Sequence, residues 1–189
     1  MDQMGAKHIT SPVSSEVIKD LHVGDNVLID GVIYVARDAA HKRLVEAMDR
    51  GDKLPFDIKG QAVYYMGPSP APPGKVIGAC GPTTSARMDM FTPRMLEAGI
   101  RAMIGKGNRS QAVRDAIKKY QAVYFMSYGG AGALLAKTVK KAELIAYPDL
   151  GAEAILRLEV ENFPAVVAND MYGHDLFEEA KTKYQRVSA

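Results

Sequence analysis

The stretch RAMIGKGNRSQAVRDAIKKYQAVYFMS, residues 101–127, decides the fold. It opens with an apolar run over 101–105, turns through two glycines, reads as a helix over 109–120 and ends in a second apolar run over 122–127. A strand, a helix and a second strand in that order predict a crossover unit with the two strands parallel. Runs this short and this continuously apolar fit strands buried on both faces.

The same alternation extends on both sides. VIGAC (76–80) precedes a helix-like segment over 83–98, AVYFMS (122–127) precedes another over 130–140, and ELIAY (143–147) follows. Nearer the start, Ser14 or Ser15 is placed to cap a short helix ending near Leu21. In LHVGDNVLIDGVIYVARD two apolar triplets flank Asp30-Gly31, which predicts a hairpin. Residues 38–50 read as an amphipathic helix stopped at Gly51, a strand is expected at about 62–66, and EAILRLEVENFPAVVAND returns to strand alternation. The expected architecture is one α/β domain over residues 1–189, with a mainly parallel central sheet and a hairpin-rich N-terminal part. Residues 1–9 form a polar lead-in to a core over about 10–175.

Composition narrows the function. The chain of 189 residues carries 24 basic and 22 acidic side chains, and a net charge of +2 is too small for a nucleic-acid binder. No apolar run reaches membrane-spanning length, and MDQMGAKHITSP lacks the apolar core of a secretory signal, so a cytoplasmic protein is expected. Cys80 is the single cysteine, and the four histidines show no paired metal-ligand spacing. This chain therefore cannot build a thiolate-rich metal site by itself.

Four clusters carry possible chemistry. Gly81-Pro82-Thr83-Thr84-Ser85-Ala86-Arg87-Met88-Asp89 follows an apolar run and opens a helix-like segment. Backbone N–H groups, hydroxyls and an arginine at such a place suit an oxyanion, and equally a capped helix start with a surface arginine. Gly105-Lys106-Gly107-Asn108-Arg109-Ser110 also follows a strand, with Asn108 and Gln111 spaced for a helix cap. Lys106 and Arg87 are expected at one sheet edge, because successive parallel strands end on the same side and ligands bind there. Arg37-Asp38-Ala39-Ala40-His41 marks a third strand–helix junction, with a surface Arg–Asp pair as the plainer reading. Tyr128-Gly129-Gly130-Ala131-Gly132-Ala133 supplies a GxG, but Leu135 stands where a dinucleotide loop needs its third glycine. A close-packed glycine turn is the better reading there.

These segments carry a family resemblance. TSPVSSEVIKDLHVGDNVLIDGVIYVARDAAHKRL, IGACGPTTSARMD, IGKGNRS and YGGAGALLA occur in this order in the beta-type domain of class I fumarases and L-tartrate dehydratases. The chain resembles that domain from about residue 10 to about residue 175. The resemblance implies a swivelling β/β/α-type domain in an iron–sulfur hydro-lyase that hydrates fumarate to malate. It implies a [4Fe–4S] cluster held by three cysteines of a partner alpha chain, with one open iron acting as a Lewis acid. A heterotetramer with that alpha subunit is expected, with no cofactor held by this chain alone. Cys80 stands where the family often has a small residue, and it is not assigned to the cluster.

Carried over by position, Arg37 and Arg87 grip the substrate carboxylates, Lys106 adds charge, and Thr83 is the proton-transfer group. His41 and Asp89 orient the arginines, and Asn108 supports the loop. The alternatives are an L(+)-tartrate dehydratase beta subunit, making oxaloacetate, and a non-catalytic dicarboxylate-binding module.

Overall fold

The chain begins with parallel pairing, where the sequence predicts a hairpin. The structure, a computed structural model, describes residues 5–185. The first strand, β1 (Lys7–Ser11), begins within the segment read as a polar lead-in and pairs in parallel with β2 (Asn26–Val35). Between them runs α1 (Ser15–Lys19), whose N-cap is Ser14: its hydroxyl accepts from the Val17 N–H at 3.3 Å.

Asp30-Gly31 sits inside the unbroken β2, opposite a bulge in the partner strand, where Glu161 and Asn162 together face Asp30. Ile29 pairs with Phe163 and Gly31 with Val160, and the Asp30 carboxylate accepts the Asn162 N–H at 2.7 Å. Gly31 has φ +94°, and a Cβ there would meet the Ser11 carbonyl at 2.5 Å. The glycine therefore serves a kinked strand with a close neighbour, a use of positive φ that sequence cannot tell from a turn.

Helix α2 (Asp38–Arg50) stops at Gly51 in the left-handed conformation, as its sequence predicts. The strand expected near 62–66 is β3 (Ala62–Tyr64). Residues 76–80 are not a strand. Ile77 and Cys80 are buried, but Val76 is exposed, and backbone bonds go to scattered partners: Cys80 N–H to the Gly132 carbonyl, Tyr64 hydroxyl to the Cys80 carbonyl. The helix expected over 83–98 is split into a 3-10 turn, Ser85–Met88, and α3 (Thr92–Ala98). Pro93 explains the break, because proline is tolerated only in a helix's first turn.

The deciding stretch folds as read. β4 (Ala102–Gly105) and β5 (Val123–Met126) pair in parallel across α4 (Gln111–Lys119). The helix expected over 130–140 shrinks to α5 (Gly132–Leu135) and a 3-10 turn, after which β6 (Val139–Ala146) pairs antiparallel with β7 (Ile155–Asn169). The last helix is α6 (Leu176–Tyr184).

Strand order is β1-β2-β3-β4-β5-β7-β6, with a further β2–β7 pairing. Strands β1 to β5 run parallel to their neighbours, and the long antiparallel β7 joins β5 back to β2. Five strands thus close into a ring, and the mixed α/β domain with a mostly parallel sheet agrees with the sequence reading. Alternate residues sort into two buried clusters. Ile29, Tyr64, Ile104, Phe125 and Phe163 belong to one; Val63, Met103 and Tyr124 pack with Leu44 of α2, Leu96 of α3 and Ile117 of α4 in the other. No helix among the described residues is long and apolar enough to cross a membrane.

Candidate active site at the carboxyl edge of the parallel strands

Three strand ends and one crossing turn assemble the site. β2 ends at Val35, and Arg37 follows as the N-cap residue of α2. β4 ends at Gly105, and Lys106 follows. The GPTT turn runs across the ends of β3 and β4. Thr83 donates its N–H to the Tyr65 carbonyl at 2.7 Å and accepts the Lys106 N–H at 3.3 Å, while Ser85 donates its N–H to the Lys106 carbonyl at 2.9 Å. Thr84 and Lys106 form a parallel bridge. Thr83 and Lys106, 23 positions apart in sequence by their numbering, therefore sit on one extension of the sheet.

Arg37 and Arg87 meet on a carboxylate that the sequence reading had treated as a plain surface partner. Asp38 accepts from Arg87 Nε at 2.9 Å and lies 3.9 Å from Arg37 Nε. Arg37 Nη2 also faces Glu153 at 3.6 Å, and Glu153 spends its other oxygen on the Ala39 N–H at 3.0 Å. Both Arg37 contacts are ion pairs longer than hydrogen bonds, and buried Arg37 Nε and Asp38 Oδ2 have no hydrogen-bond partner among the described residues. Gly67 makes room for this arginine: a Cβ there would stand 2.7 Å from Arg37 Nη1 and 2.9 Å from the Ala152 carbonyl. The Arg87 side chain is 51% exposed, and Lys106 is exposed without an ion pair among the described residues. Three cations thus stand against two carboxylates, leaving charge for an anionic ligand.

His41 acts on Arg37 through the main chain. Its Nδ1–H donates to the Arg37 carbonyl at 2.8 Å, and its ring is buried beside Tyr65 and Phe91. Burial pushes its pKa down to about 4, so the imidazole is neutral.

Asp89 touches neither of the two clamp arginines. It accepts from Arg109 Nε at 2.8 Å and from the Ser110 N–H at 2.6 Å, so it caps α4 and neutralises a guanidinium with no exposed side-chain surface. Arg109 also donates to Thr92 Oγ1 at 2.7 Å and lies over the rings of Tyr65 and Tyr124. Burial opposes its charge, but Tyr65 and Asp89 hold its pKa above the ordinary arginine value. The cap expected from Asn108 and Gln111 is not formed. Asn108 is exposed, and the Gln111 amide donates to Asp115. Asp89 had already filled that role from another element.

Asp38, Glu153, Ser85, Tyr124 and Arg109 were missed as site residues. Asp38 is 49 positions from Arg87 and Glu153 is 114 from Ala39, separations at which no local spacing rule operates. The YGGAG segment is, as read, a close-packed turn, for a Cβ on Gly132 would stand 2.9 Å from the Gly81 nitrogen.

A cluster held by three thiolates does not fit these residues. Cys80 is one thiol, buried, with its pKa pushed up to about 11 by that burial, and no group of three His, Cys, Asp or Glu that could hold a metal occurs among the described residues.

Comparison with known proteins settles the family. A profile described as "Fumarase C-terminus" matches residues 3–180. The chain belongs to the fumarase C-terminus family. It is 43% identical over 173 residues to "Fumarate hydratase class I, aerobic" of Salmonella typhimurium, covering 89% of this chain and 30% of that protein. It is 44% identical over 159 residues to the protein of that name from Escherichia coli, covering 83% of this chain and 29% of that one. It is 38% identical over 178 residues to "Putative L(+)-tartrate dehydratase subunit beta" of Methanocaldococcus jannaschii, covering 90% of this chain and 91% of that protein. The chain therefore spans about 30% of the length of the fumarate hydratases it matches. Within the family, the resemblance drawn from the GPTT and GKGNRS motifs is borne out.

Proposed function

We propose that this chain is the beta subunit of a hydro-lyase that reversibly adds water across the double bond of fumarate to give malate. It works with a cysteine-bearing alpha chain, which holds the [4Fe–4S] cluster, most simply as a heterotetramer in the cytoplasm. One observation carries the reading: two arginines from different elements converge on the Asp38 carboxylate, beside Thr83 and Lys106, at a single sheet edge.

In this reading Arg37 and Arg87 bind the two carboxylates of the substrate. A planar guanidinium offers paired N–H groups, and Arg87 uses only Nε on Asp38. Lys106 adds a third positive charge to the dianion. Thr83, fixed on both sides by main-chain bonds, holds its hydroxyl where a proton is exchanged with the substrate carbon. A hydroxyl is a weak base, so a carboxylate of the partner chain takes its proton. His41 and Glu153 fix Arg37, and Asp38 spaces the two arginines. Asp89 supports the loop that carries Lys106 through Arg109 and the Ser110 N–H, while Asn108 is left exposed on it. The length match to a tartrate dehydratase beta subunit favours a second substrate, L(+)-tartrate, dehydrated to oxaloacetate by the same carboxylate grips.

The test is Arg87→Lys in the assembled enzyme, assayed anaerobically with fumarate and with tartrate. Loss of the fork is expected to lower kcat/KM by about 30- to 1,000-fold, with cluster content and Tm unchanged. Near-normal kcat/KM at full cluster occupancy would remove Arg87 from the site, and with it the placement of Thr83 by the same turn. An enzyme that binds either dianion and turns over neither would leave a binding module.

A further inference from the structure

Lys106 is exposed and has no ion pair among the described residues, so its main chain fixes only the point from which the side chain reaches out. Beneath that main chain lie two polar side chains with no exposed surface, Ser85 and Tyr124. Buried hydroxyls without partners are costly, and these two are fully bonded.

Their proton directions follow by counting. Tyr124 has one hydroxyl proton and donates it to the Gly107 carbonyl at 2.8 Å. The 2.9 Å contact between Ser85 Oγ and the Tyr124 oxygen must then run from the serine hydroxyl to the tyrosine. Ser85 Oγ accepts the Lys106 N–H at 3.1 Å. The result is a one-way chain from Lys106 N–H through Ser85 and Tyr124 to the carbonyl of Gly107. It begins and ends on adjacent residues, and the Ser85 N–H holds the Lys106 carbonyl as well.

Two features keep the circuit tight. Gly105 lacks the Cβ that would overlap Ser85 Oγ, and the Arg109 guanidinium lies 4.9 Å from the Tyr124 ring centre. Burial also pushes the phenol pKa up, so the proton stays on Tyr124. Because Thr83 shares the Lys106 N–H, the same circuit sets the distance between the GPTT turn and the lysine.

We infer that Tyr124 is a positioning residue for the reaction, acting through Ser85 and the 105–107 main chain to set the point from which Lys106 reaches the substrate carboxylate. The inference rests on the functional reading above.

The experiment is Tyr124→Phe in the assembled enzyme, alone and combined with Lys106→Ala. The phenylalanine keeps the ring and its contact with Arg109 and removes only the bonds of the circuit. An increase of about tenfold in KM is expected, with a smaller change in kcat. On the Lys106→Ala background the same substitution is expected to change nothing further, a coupling that a merely structural role does not produce. Ser85→Ala, a smaller change, is expected to raise KM in the same sense. On the chain by itself, hydrogen exchange at the Lys106 amide is expected to quicken in both variants.

The failures are separable. If Lys106→Ala leaves kcat/KM unchanged, the functional reading falls. If Lys106→Ala impairs the enzyme but Tyr124→Phe leaves KM unchanged, or the two losses multiply, the positioning role is overturned.

Discussion

The imidazole of His41 is neutral because it is buried, and this makes it a source of acid sensitivity. Its folded pKa is about 4, below the unfolded value of 6.5, so between these values the unfolded chain binds the proton and the folded chain does not. Its contribution to stability is complete above pH 6.5 and is lost as pH falls through 4, by up to about 3 kcal/mol. Burial is the largest influence and favours the neutral form; the Arg37 carbonyl and Asp38 pull the other way, and Arg109 adds to the burial. Urea unfolding between pH 7 and 4 is expected to show this slope in the wild type and a flatter one in His41→Asn. Parallel slopes would place the sensitivity elsewhere. A single histidine in a helical stretch gives no sign of this. The buried side of α2 was legible from its periodicity, but depth under Tyr65 and Phe91 depends on elements far along the chain.

At the scale of elements, the same carboxylate can be a cap for one helix and a counter-ion for another. Asp89 leaves the 3-10 turn, caps α4 and pairs with Arg109. Removing it strands a guanidinium with no exposed surface, so Asp89→Ala is expected to cost about 3–5 kcal/mol in denaturant unfolding. Asp89→Ala with Arg109→Met is expected to be less damaged than Asp89→Ala alone, because the double variant leaves no charge unpaired. Equal or greater damage would mean that Asp89 acts mainly as a cap. The crossover of β4, α4 and β5 was readable because a strand, a cap region and an amphipathic helix are local signals. Arg37 and Lys106 were placed at one edge for the same reason, since each follows a strand end; Thr83 and Arg87 were placed there by a strand at 76–80 that does not form, and main-chain bonds to Tyr65 and Lys106 bring their turn there instead. The bulge of β7 opposite Asp30, with Gly31 beside it, and the irregular course of residues 76–80 were not readable. A positive φ looks alike in turn and bulge, and an apolar run buries its side chains with or without a ladder. Asp38 and Glu153 were hidden by distance along the chain.

For the molecule as a whole, the two buried clusters and the closed ring provide a complete core, while the proposed chemistry needs three thiolates that Cys80 alone cannot supply. The purified chain is therefore expected to unfold in one cooperative transition and to show no hydratase activity under anaerobic assay, with activity appearing on addition of the partner and its reconstituted cluster. Full activity from the isolated chain would end the two-chain reading. The ring has a further consequence, for synthesis on the ribosome. β2 is made early, yet Val35 pairs with Leu156 and Asn26 with Val166. Until β7 emerges, the nascent chain carries two open strand edges, on β2 and on β5, each able to pair with another chain. Closure over so long a separation is slow compared with local helix formation. Translation that stalls after β5 and before residue 155 would leave both edges exposed, so the hazard of aggregation is greatest in that interval, before β7 arrives to seal them.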